Sequence, residues 1–290
     1  MRKIRRSSCA VVIGLMLAVC SALGTKTLSA QSKIPELRPV VVQGAMDLEV
    51  KEFVSRLENV KVEKVGGWIF WRGTLDGYPV IVSKTLKGLS NSAAATVIAA
   101  ERYHPVAIVN QGTAGGHDSQ LRVYDIVLGR YSVNLGAFKT AYRKAGQGSD
   151  LLGWKPLDLM ASEGSAGEDP NEHILRRFQG NEQLLAAAES VKDLYRKGRV
   201  MEGVIGSSEI WNSELDRIQW FHTQYGTSAE EMETASAAQI ASFFQIPFIG
   251  IRILSNNITN DGKYDARTGA ACQEYVYEVV KAYIATRLKH

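Results

Sequence analysis

The pattern of apolar and polar positions predicts strands that alternate with helices along most of the chain. Short apolar runs rich in β-branched residues predict buried strands at Val40–Val42, Val106–Val109 and Phe248–Leu254. The spacing of apolar residues predicts helices over Asp47–Leu57 and Thr268–Leu288. Strands that alternate with helices in this way are typical of α/β proteins.

The remaining predicted elements complete this pattern. Further strands are expected at Lys61–Val65, Trp68–Leu75, Pro79–Ser83, Asp125–Leu128 and Gly203–Gly206, and further helices at Ala93–Tyr103, within Asn171–Lys197 and at Glu231–Phe244. Gly66-Gly67 and Asp76-Gly77 predict hairpin turns, and Ser228 is a predicted N-cap for the helix that follows it. The predicted strand Val106–Val109 is expected to run into a loop over Gln111–Gly116.

The pattern weakens between Gly136 and Asn171. Gly, Ser, Asp and Pro cluster there, as in Gly146–Ser149 and Glu163–Gly167. Such clusters predict a long loop region. A lid, an oligomer contact and a disordered loop are all compatible with its composition.

The first 30 residues have the organisation of a secretory signal. Basic residues cluster within Arg2–Arg6, Cys9–Leu23 is apolar, and Leu28-Ser29-Ala30 offers a small-residue cleavage site. An uncleaved membrane anchor is the alternative, but the apolar run is shorter than the roughly 20 residues that span a bilayer. We therefore expect cleavage, a linker over residues 31–38, one domain over residues 39–290, and a periplasmic or secreted protein without stable membrane insertion.

Removing this leader changes the charge of the chain. Residues 1–30 contain five of the 34 basic residues and none of the 30 acidic ones, which leaves 29 basic and 30 acidic residues. Such a balance does not favour a nucleic acid as partner. Cys272 is then the only cysteine, so no internal disulfide is expected, and the five histidines are too scattered for a zinc site. No metal and no cofactor is expected.

Three predicted strands end in small, polar or glycine-rich segments. These segments are Gln43–Glu49, Asn110–Gly116 and Ser255–Asn257. In α/β sheets, ligands bind in the crevice beyond the carboxyl ends of the strands, and glycines there let backbone N–H groups approach a ligand closely. Tight turns without a ligand would explain any one of these segments taken singly.

Together these segments resemble the motifs of a known family. The matching blocks, in order and approximate spacing, are Gly44-Ala45-Met46-Asp47-Leu48-Glu49, Asn110-Gln111-Gly112-Thr113-Ala114-Gly115-Gly116, Glu231-Met232-Glu233-Thr234-Ala235 and Arg252-Ile253-Leu254-Ser255. They resemble the 5′-methylthioadenosine/S-adenosylhomocysteine nucleosidases, from about Pro39 to the C-terminus. The resemblance implies the nucleoside phosphorylase fold, an α/β three-layer sandwich whose central mixed, partly barrel-like β-sheet is flanked by helices. It also implies a purine nucleoside as substrate, water as co-substrate and a homodimer.

The resemblance assigns two acidic residues of these motifs to catalysis. Hydrolysis of a purine N-glycosidic bond needs a carboxylate that activates water, which is Glu49 by the match. A second carboxylate, Glu233, would accept hydrogen bonds from the ribose hydroxyls and stabilise the cationic sugar. Met232 would pack against the ribose, and Arg252 would orient Glu233. Without the other motifs, Glu233 would be interpreted as a solvated acid at a helix N-terminus.

The resemblance also places the rest of the substrate site. Thr113 and Gly115 match positions that line the water and sugar site, and the base is expected near Ile210 and Trp211. An ordinary core aromatic is an equally good interpretation of Trp211. Two further residues of the matching motifs are expected to contact substrate: Met46 and Ser255.

The same motifs favour hydrolysis over phosphorolysis. Phosphorolysis requires a pocket for an anion, generally with arginine donors, and neither Gln43–Glu49 nor Asn110–Gly116 contains an arginine. Glu49 would also repel phosphate from the position that water needs.

One position departs from the family in a way that affects the base. In the family, the strand that contains the arginine matching Arg252 is followed by Ser-Asp, and this Asp protonates purine N7. This chain has Ser255-Asn256 instead. An amide cannot act as a carboxylic acid, but it donates one hydrogen bond and accepts another. Asn256 therefore leaves three interpretations open: an adenine nucleosidase with weakened acid assistance, a nucleosidase or phosphorylase for 6-oxopurine nucleosides, and an inactive nucleoside-binding or storage protein. Asp261 is a candidate substitute acid.

Overall fold

The structure, a computed structural model, describes residues 37–160 and 174–288. The predicted signal peptide and most of the predicted linker lie outside these residues, and from Leu37 onward the chain forms one unit. Its strands are β1 (Val40–Gly44), β2 (Glu58–Val65), β3 (Trp68–Leu75), β4 (Tyr78–Lys84), β5 (Ala107–Gly116), β6 (Ile126–Asn134), β7 (Phe138–Lys139), β8 (Lys155–Pro156), β9 (Arg177–Gln179), β10 (Val200–Ser207), β11 (Thr227–Glu231) and β12 (Phe248–Asn256). Its α-helices are α1 (Asp47–Ser55), α2 (Leu89–Tyr103), α3 (Glu182–Ser190), α4 (Leu215–Tyr225), α5 (Thr234–Phe243) and α6 (Thr268–Arg287). Within the described ranges, no helix combines the length and the apolar character that crossing a bilayer requires.

The main sheet is mixed and closes partly into a barrel. Its strands run in the order β11-β10-β6-β12-β5-β1-β4-β3-β2, and β11 also pairs with β5, which closes a ring of five strands. β1 is parallel to both β4 and β5, and β5 is parallel to β12. The pairs β12–β6, β2–β3 and β3–β4 are antiparallel. The mixed, partly barrel-like sheet expected from the sequence is confirmed.

Alternate residues of the central strands face two different layers of helices. In β1, Val40 and Val42 pack in one hydrophobic cluster with residues of α1, α3 and α6, whereas Val41 packs in another with residues of α2 and α5. Because side chains alternate across a strand, a run of valines that is buried on both faces requires helices on both sides of the sheet. The α/β three-layer arrangement is confirmed, and the valine run is its clearest sequence signal.

Several elements differ from the sequence prediction. The segment Gln111–Gly116 is not a loop, because β12 on one side and β11 on the other extend β5 through it. Ser228 lies inside β11 rather than at a helix N-cap, and α5 begins only at Thr234, with Glu233 in the N-cap position. The described part of Asn171–Lys197 contains a strand, β9, as well as the helix α3, and α4 has no counterpart in the prediction.

The first part of the predicted loop region after Gly136 packs against α4. β7 and β8 pair as a short antiparallel ribbon. The guanidinium of Arg217, in α4, lies over four aromatic rings at 4.2–5.5 Å from their centroids, and two of these rings belong to Phe138 and Trp154 of the segment. Such cation–π contacts strengthen when they are removed from water, so Arg217 fixes this segment to α4. Residues 161–173 of the predicted loop lie outside the described residues.

Candidate active site

The carboxyl ends of several strands surround one cavity of about 290 Å³. β1, β5 and β12 are parallel neighbours, so the segments that follow or end them meet at the same edge of the sheet. β11 joins them because it closes the barrel against the end of β5. Ten residues that the sequence analysis assigned to the site line this cavity: Met46, Glu49, Thr113, Gly115, Ile210, Trp211, Met232, Glu233, Ser255 and Asn256. Arg252 does not line the cavity but lies behind its wall.

Glu49 is held at the cavity wall by four hydrogen bonds. Its Oε2 accepts the backbone N–H groups of Ala45 and Met46 at 2.9 and 3.1 Å. Its Oε1 accepts the backbone N–H and the hydroxyl of Thr113 at 2.8 and 3.0 Å. These hydrogen bonds fix the orientation in which the Glu49 carboxyl group meets the cavity.

Gly112 leaves room for this carboxylate. A Cβ atom at position 112 would lie 2.7 Å from Glu49 Oε1 and 2.9 Å from its Cδ. We expect Gly112→Ala to displace the Glu49 carboxylate and to lower kcat for base release by about 10²-fold, with a smaller effect on thermal unfolding because a side-chain end can move. Gly67→Ala is the matched control, since a Cβ at Gly67 meets no atom within 4 Å. A wild-type kcat in Gly112→Ala would contradict the assigned role of Glu49.

The close ion-pair partner of Arg252 is Glu231, whereas the resemblance implies Glu233. Arg252 Nε and Nη2 donate to Glu231 Oε2 at 3.0 and 2.5 Å, while the distance from Nη2 to Glu233 Oε2 is 3.8 Å. Arg252 also donates to the backbone oxygen of Asn110 at 2.9 Å and to its side-chain Oδ1 at 2.6 Å. With 1% of its surface exposed, Arg252 acts on the site through Glu231 and holds Glu233 only at longer range.

Glu231 is the ionised member of this acidic pair. Its burial opposes ionisation, but the Arg252 guanidinium, the Ser207 hydroxyl and the backbone N–H groups of Glu233 and Thr234 hold the pKa of Glu231 below its ordinary value. The charge of Glu231 is therefore compensated from several directions.

The pKa of Glu233 is shifted in the opposite direction to that of Glu231. It is 7% exposed, which excludes the interpretation as a solvated acid. Its Oε1 accepts the backbone N–H of Gly88 at 3.0 Å. Burial, and next the neighbouring charge of Glu231, raise the pKa of Glu233 well above its ordinary value. Of these two acids, Glu233 is the one whose pKa is raised and Glu231 the one whose pKa is lowered.

This raised pKa has a consequence for stability. A carboxyl group whose pKa is higher in the folded than in the unfolded chain makes folding less favourable as pH rises through that interval. We expect Glu233→Gln to raise the midpoint of thermal unfolding by a few degrees at pH 8, because its amide oxygen can still accept the Gly88 N–H. The gain should vanish near pH 4, where Glu233 is protonated in both states. Melting curves between pH 4 and pH 9 test this, and a difference that does not change with pH would contradict it.

Aromatic and apolar side chains form the mouth of the cavity. Trp211 is 64% exposed, so it is not a core aromatic, and Ile210 beside it is 60% exposed. The ring of Trp211 meets that of Tyr264 edge-on at a centroid distance of 5.9 Å. The Tyr264 hydroxyl lies 3.4 Å from Thr113 Oγ1. Such rings offer flat apolar surfaces for a planar base, and sequence analysis did not single out Tyr264.

Asn256 presents its amide nitrogen to the cavity. Ser255 Oγ donates to Asn256 Oδ1 at 2.8 Å, while a Cβ atom on Gly115, across the strand pair, would lie 3.3 Å from Nδ2. The amide of Asn256 can therefore offer a ligand its two N–H donors and the remaining acceptor position of Oδ1. Asp261, the candidate substitute acid, does not line the cavity, and its 86% exposed side chain lies 3.7 Å from Lys263.

Sequence analysis missed four polar residues of the cavity wall: Lys87, His117, Asn212 and Glu230. His117 directly follows Gly116, and Glu230 directly precedes Glu231, so their adjacency to the motifs is the signal that would have found them. With Glu230 included, four carboxyl groups line one small cavity. Among the residues that the structure describes, no cluster of histidine, cysteine or acidic side chains is arranged to hold a metal ion.

Comparison with known proteins agrees with this geometry. The sequence profile of the phosphorylase superfamily matches residues 39–285. The chain belongs to this superfamily. Its relatives include the 5′-methylthioadenosine/S-adenosylhomocysteine nucleosidases of Bacillus thuringiensis (strain Al Hakam) and Bacillus anthracis, each 31% identical over 218 residues, which are 75% of this chain and 85% of theirs. The family resemblance of the motifs is confirmed.

Solved structures share the fold. The 5′-methylthioadenosine/S-adenosylhomocysteine nucleosidase from Neisseria meningitidis, in complex with methylthio-immucillin-A, has a TM-score of 0.69 and 25% identity, covering 84% of this chain and 99% of that one. The futalosine hydrolase of Helicobacter pylori strain 26695 has a TM-score of 0.68 and 19% identity, covering 84% of this chain and 98% of that one. The nucleoside phosphorylase fold implied by the resemblance is confirmed.

Proposed function

We propose that this chain is a purine nucleosidase that hydrolyses the N-glycosidic bond of 5′-methylthioadenosine and S-adenosylhomocysteine to a free base and a sugar. The observation that carries the proposal is the placement of Glu49 and Glu233 on the walls of one cavity, Glu49 fixed by four hydrogen bonds and Glu233 buried beside the Glu231–Arg252 pair. The nucleosidase relatives, which carry these substrates in their names, support it.

Glu49 is the general base of the proposed reaction. It takes a proton from a water molecule, whose oxygen forms a bond to C1′ of the ribose as the C1′–N9 bond breaks. The electron pair of the broken bond goes to the purine, which takes a proton from the solvent, and Glu49 later returns its proton to the solvent. Asn256 Nδ2 donates a hydrogen bond to the departing base and so stabilises its developing negative charge.

Glu233 stabilises the sugar during this step. Its raised pKa favours the protonated form, which can bind the two ribose hydroxyls by donating to one and accepting from the other. As positive charge develops on the sugar ring, it lowers the pKa of Glu233, because an opposite charge favours the carboxylate form, and the proton that Glu233 releases passes to the solvent. The site therefore interacts more strongly with the transition state than with the substrate, as catalysis requires.

The charges of the cavity favour water over phosphate as the attacking group. Glu49, Glu230, Glu231 and Glu233 all line it, and Lys87 is the only lysine or arginine among the described lining residues. The carboxylate that the reaction requires at Glu49 repels an anion from the position of the attacking group. Glu231, which is paired with Arg252, and Glu233, whose pKa is raised, add less to this repulsion, so Glu49 is the group that favours hydrolysis over phosphorolysis.

A second candidate is a nucleosidase for 6-oxopurine nucleosides. It is favoured by one observation, that Asn256 offers an N–H donor where the family has a carboxyl group. Such a donor suits the O6 atom of hypoxanthine or guanine. An inactive binding protein is less well supported, because it would not need a carboxylate fixed in the manner of Glu49.

We further propose that the protein acts outside the cytoplasm and as a homodimer. The signal-like order of basic, apolar and small residues before Gln31 supports export, and the resemblance to a usually dimeric family supports the dimer. Both are tested directly, by the N-terminal sequence and cell fraction of the mature protein and by its mass in solution.

The decisive experiment measures base release from a panel of nucleosides, with and without phosphate. The panel contains methylthioadenosine, S-adenosylhomocysteine, adenosine, inosine and guanosine. We expect phosphate-independent release of adenine from the first two. Release that requires phosphate would overturn hydrolysis, release from inosine and guanosine alone would favour the second candidate, and binding without release would favour an inactive protein.

A further inference from the structure

A polar cluster that the proposed mechanism does not use lies in the cavity wall. Its centre is Glu230, whose carboxyl group accepts the Ser208 hydroxyl on Oε1 at 2.6 Å and the Asn212 Nδ2 amide on Oε2 at 3.1 Å. His117 Nε2 lies 2.9 Å from the same Oε2. Glu230, Asn212 and His117 all line the cavity, so this cluster faces whatever occupies it.

The cluster is fixed from behind. His117 Nδ1 lies 2.8 Å from Thr227 Oγ1, and the imidazole ring stacks on Phe221 at a centroid distance of 6.0 Å and an interplanar angle of 5°. The side chains of His117 and Glu230 are 2% and 7% exposed. A buried carboxylate in such a rigid setting is costly compared with apolar residues of similar volume, which indicates a role beyond folding.

The hydrogen-bonding capacity of Glu230 is not exhausted. A carboxylate offers about four acceptor positions, and its neighbours use two on Oε2 and one on Oε1. The remaining acceptor position is on Oε1. The Glu230 side chain is 7% exposed, and Glu230 lines the cavity. Glu230 therefore has one place for an N–H donor from a ligand.

The hydrogen-bonding groups of an aminopurine base can be matched to those of this wall. The neutral purine ring of such a base offers nitrogen acceptors, while its amino group needs an acceptor from the protein. Asn256 Oδ1 lies 2.8 Å from the Ser255 hydroxyl, so at most part of its acceptor capacity is taken, and its Nδ2 adds two N–H donors. Asn256 thus brings amide donors to this wall, and Glu230 brings a carboxyl acceptor.

We propose that Glu230 determines base specificity by accepting an N–H of the purine, foremost the 6-amino group of an adenine nucleoside. His117, Ser208 and Asn212 are positioning residues that hold its carboxylate in place. The inference rests on the proposed nucleosidase function and assigns the purine end of the substrate to residues of this chain. It also accounts for adenine recognition at a site where Asn256 replaces an acid.

The test compares methylthioadenosine with its 6-desamino analogue, in which hydrogen replaces the amino group and the base has no N–H donor. A site built around an N–H donor discriminates strongly against an analogue that lacks it. We expect wild-type kcat/KM to favour methylthioadenosine by about 10²- to 10⁴-fold. In Glu230→Met this preference should fall below about 10-fold, because the variant lacks the carboxyl group that accepts the 6-amino N–H. Only kcat/KM for methylthioadenosine should fall, since the 6-desamino analogue does not make this hydrogen bond.

Two further variants make the result decisive. Glu230→Gln keeps the shape and is used if the methionine variant does not fold; it should show the same loss in weaker form. Glu214→Gln removes an exposed acid that directly precedes α4 and does not line the cavity, and it should keep the wild-type preference. An equal loss for both substrates in the Glu230 variants, or a wild-type enzyme that does not discriminate, would overturn the proposal.

Binding measurements separate this inference from the function on which it rests. If no nucleoside releases its base, the nucleosidase proposal fails, and calorimetry with free adenine and free purine still tests Glu230. Wild-type protein should then bind adenine more tightly than purine, and Glu230→Met should bind them alike. Equal wild-type affinities for the two bases would overturn the role of Glu230.

Discussion

Glu49→Gln is expected to lower kcat for nucleoside hydrolysis by about 10²- to 10⁴-fold, the usual contribution of a positioned general base. An amide does not take a proton from water at neutral pH. It would also turn its NH₂ group toward donors, since the backbone N–H groups of Ala45 and Met46 lie against one carboxylate oxygen and Thr113 lies against the other. Steady-state kinetics with methylthioadenosine measures the loss.

A neighbouring acid provides the control for this variant. Glu52 lies on the same helix, α1, but its side chain is 43% exposed and pairs with Arg56. Glu52→Gln should keep wild-type kcat. Thermal unfolding and adenine binding of Glu49→Gln would show whether the protein remains folded. A folded Glu49→Gln protein with wild-type kcat would mean that another group activates water.

Arg252→Met is expected to lower the free energy of unfolding by about 3–5 kcal/mol at neutral pH, the usual effect of removing one partner of a buried ion pair. The variant leaves the Glu231 carboxylate buried without its guanidinium, and it removes two hydrogen bonds to Asn110. Urea denaturation measures the change. Lys197→Met is the matched control, because Lys197 and Glu274 form a pair with side chains 48% and 43% exposed, and such pairs contribute about 0–1 kcal/mol.

The pH dependence of this loss follows from Glu231. Its lowered pKa in the folded protein stabilises the fold above the ordinary pKa of a glutamate, and that contribution disappears as pH falls through the lowered value. The cost of Arg252→Met should therefore be largest near neutral pH and smaller in acid, where Glu231 accepts a proton. A double variant with Glu231→Gln should recover part of the stability. A loss that is the same at pH 4 and pH 8 would contradict the assigned charge of Glu231.

The strands show how far local sequence predicts this fold. The valines of β1 and the turn at Asp76-Gly77 were predictable, because burial on both faces requires a continuous apolar run and because both turn residues have positive φ, at 50° and 79°. The strand character of Gln111–Gly116 was not, since a polar, glycine-rich segment has no periodicity. It becomes a strand because two partners distant in sequence pair with it.

The candidate site divides in the same way. Glu49, Glu233 and Asn256 were recognisable because they belong to short motifs whose order is preserved, and all three line the cavity. The protonation states were not recognisable, because Glu231 and Glu233 are two residues apart in one motif and differ only in what surrounds them. His117 and its partner Glu230 are 113 residues apart in the sequence, so no local motif joins them.

By itself, the sequence determined which elements form, which family the chain resembles and which acids stand at the strand ends. The periodicity of apolar residues and the short motifs are local properties of the chain, so they can be recognised in the sequence without a structure. Only the tertiary structure decided that Arg252 neutralises Glu231 and leaves Glu233 with a raised pKa, and that Glu230 stands beside His117 in the same wall. Desolvation and Coulomb interactions depend on distances between side chains that folding brings together, and no local pattern encodes those distances.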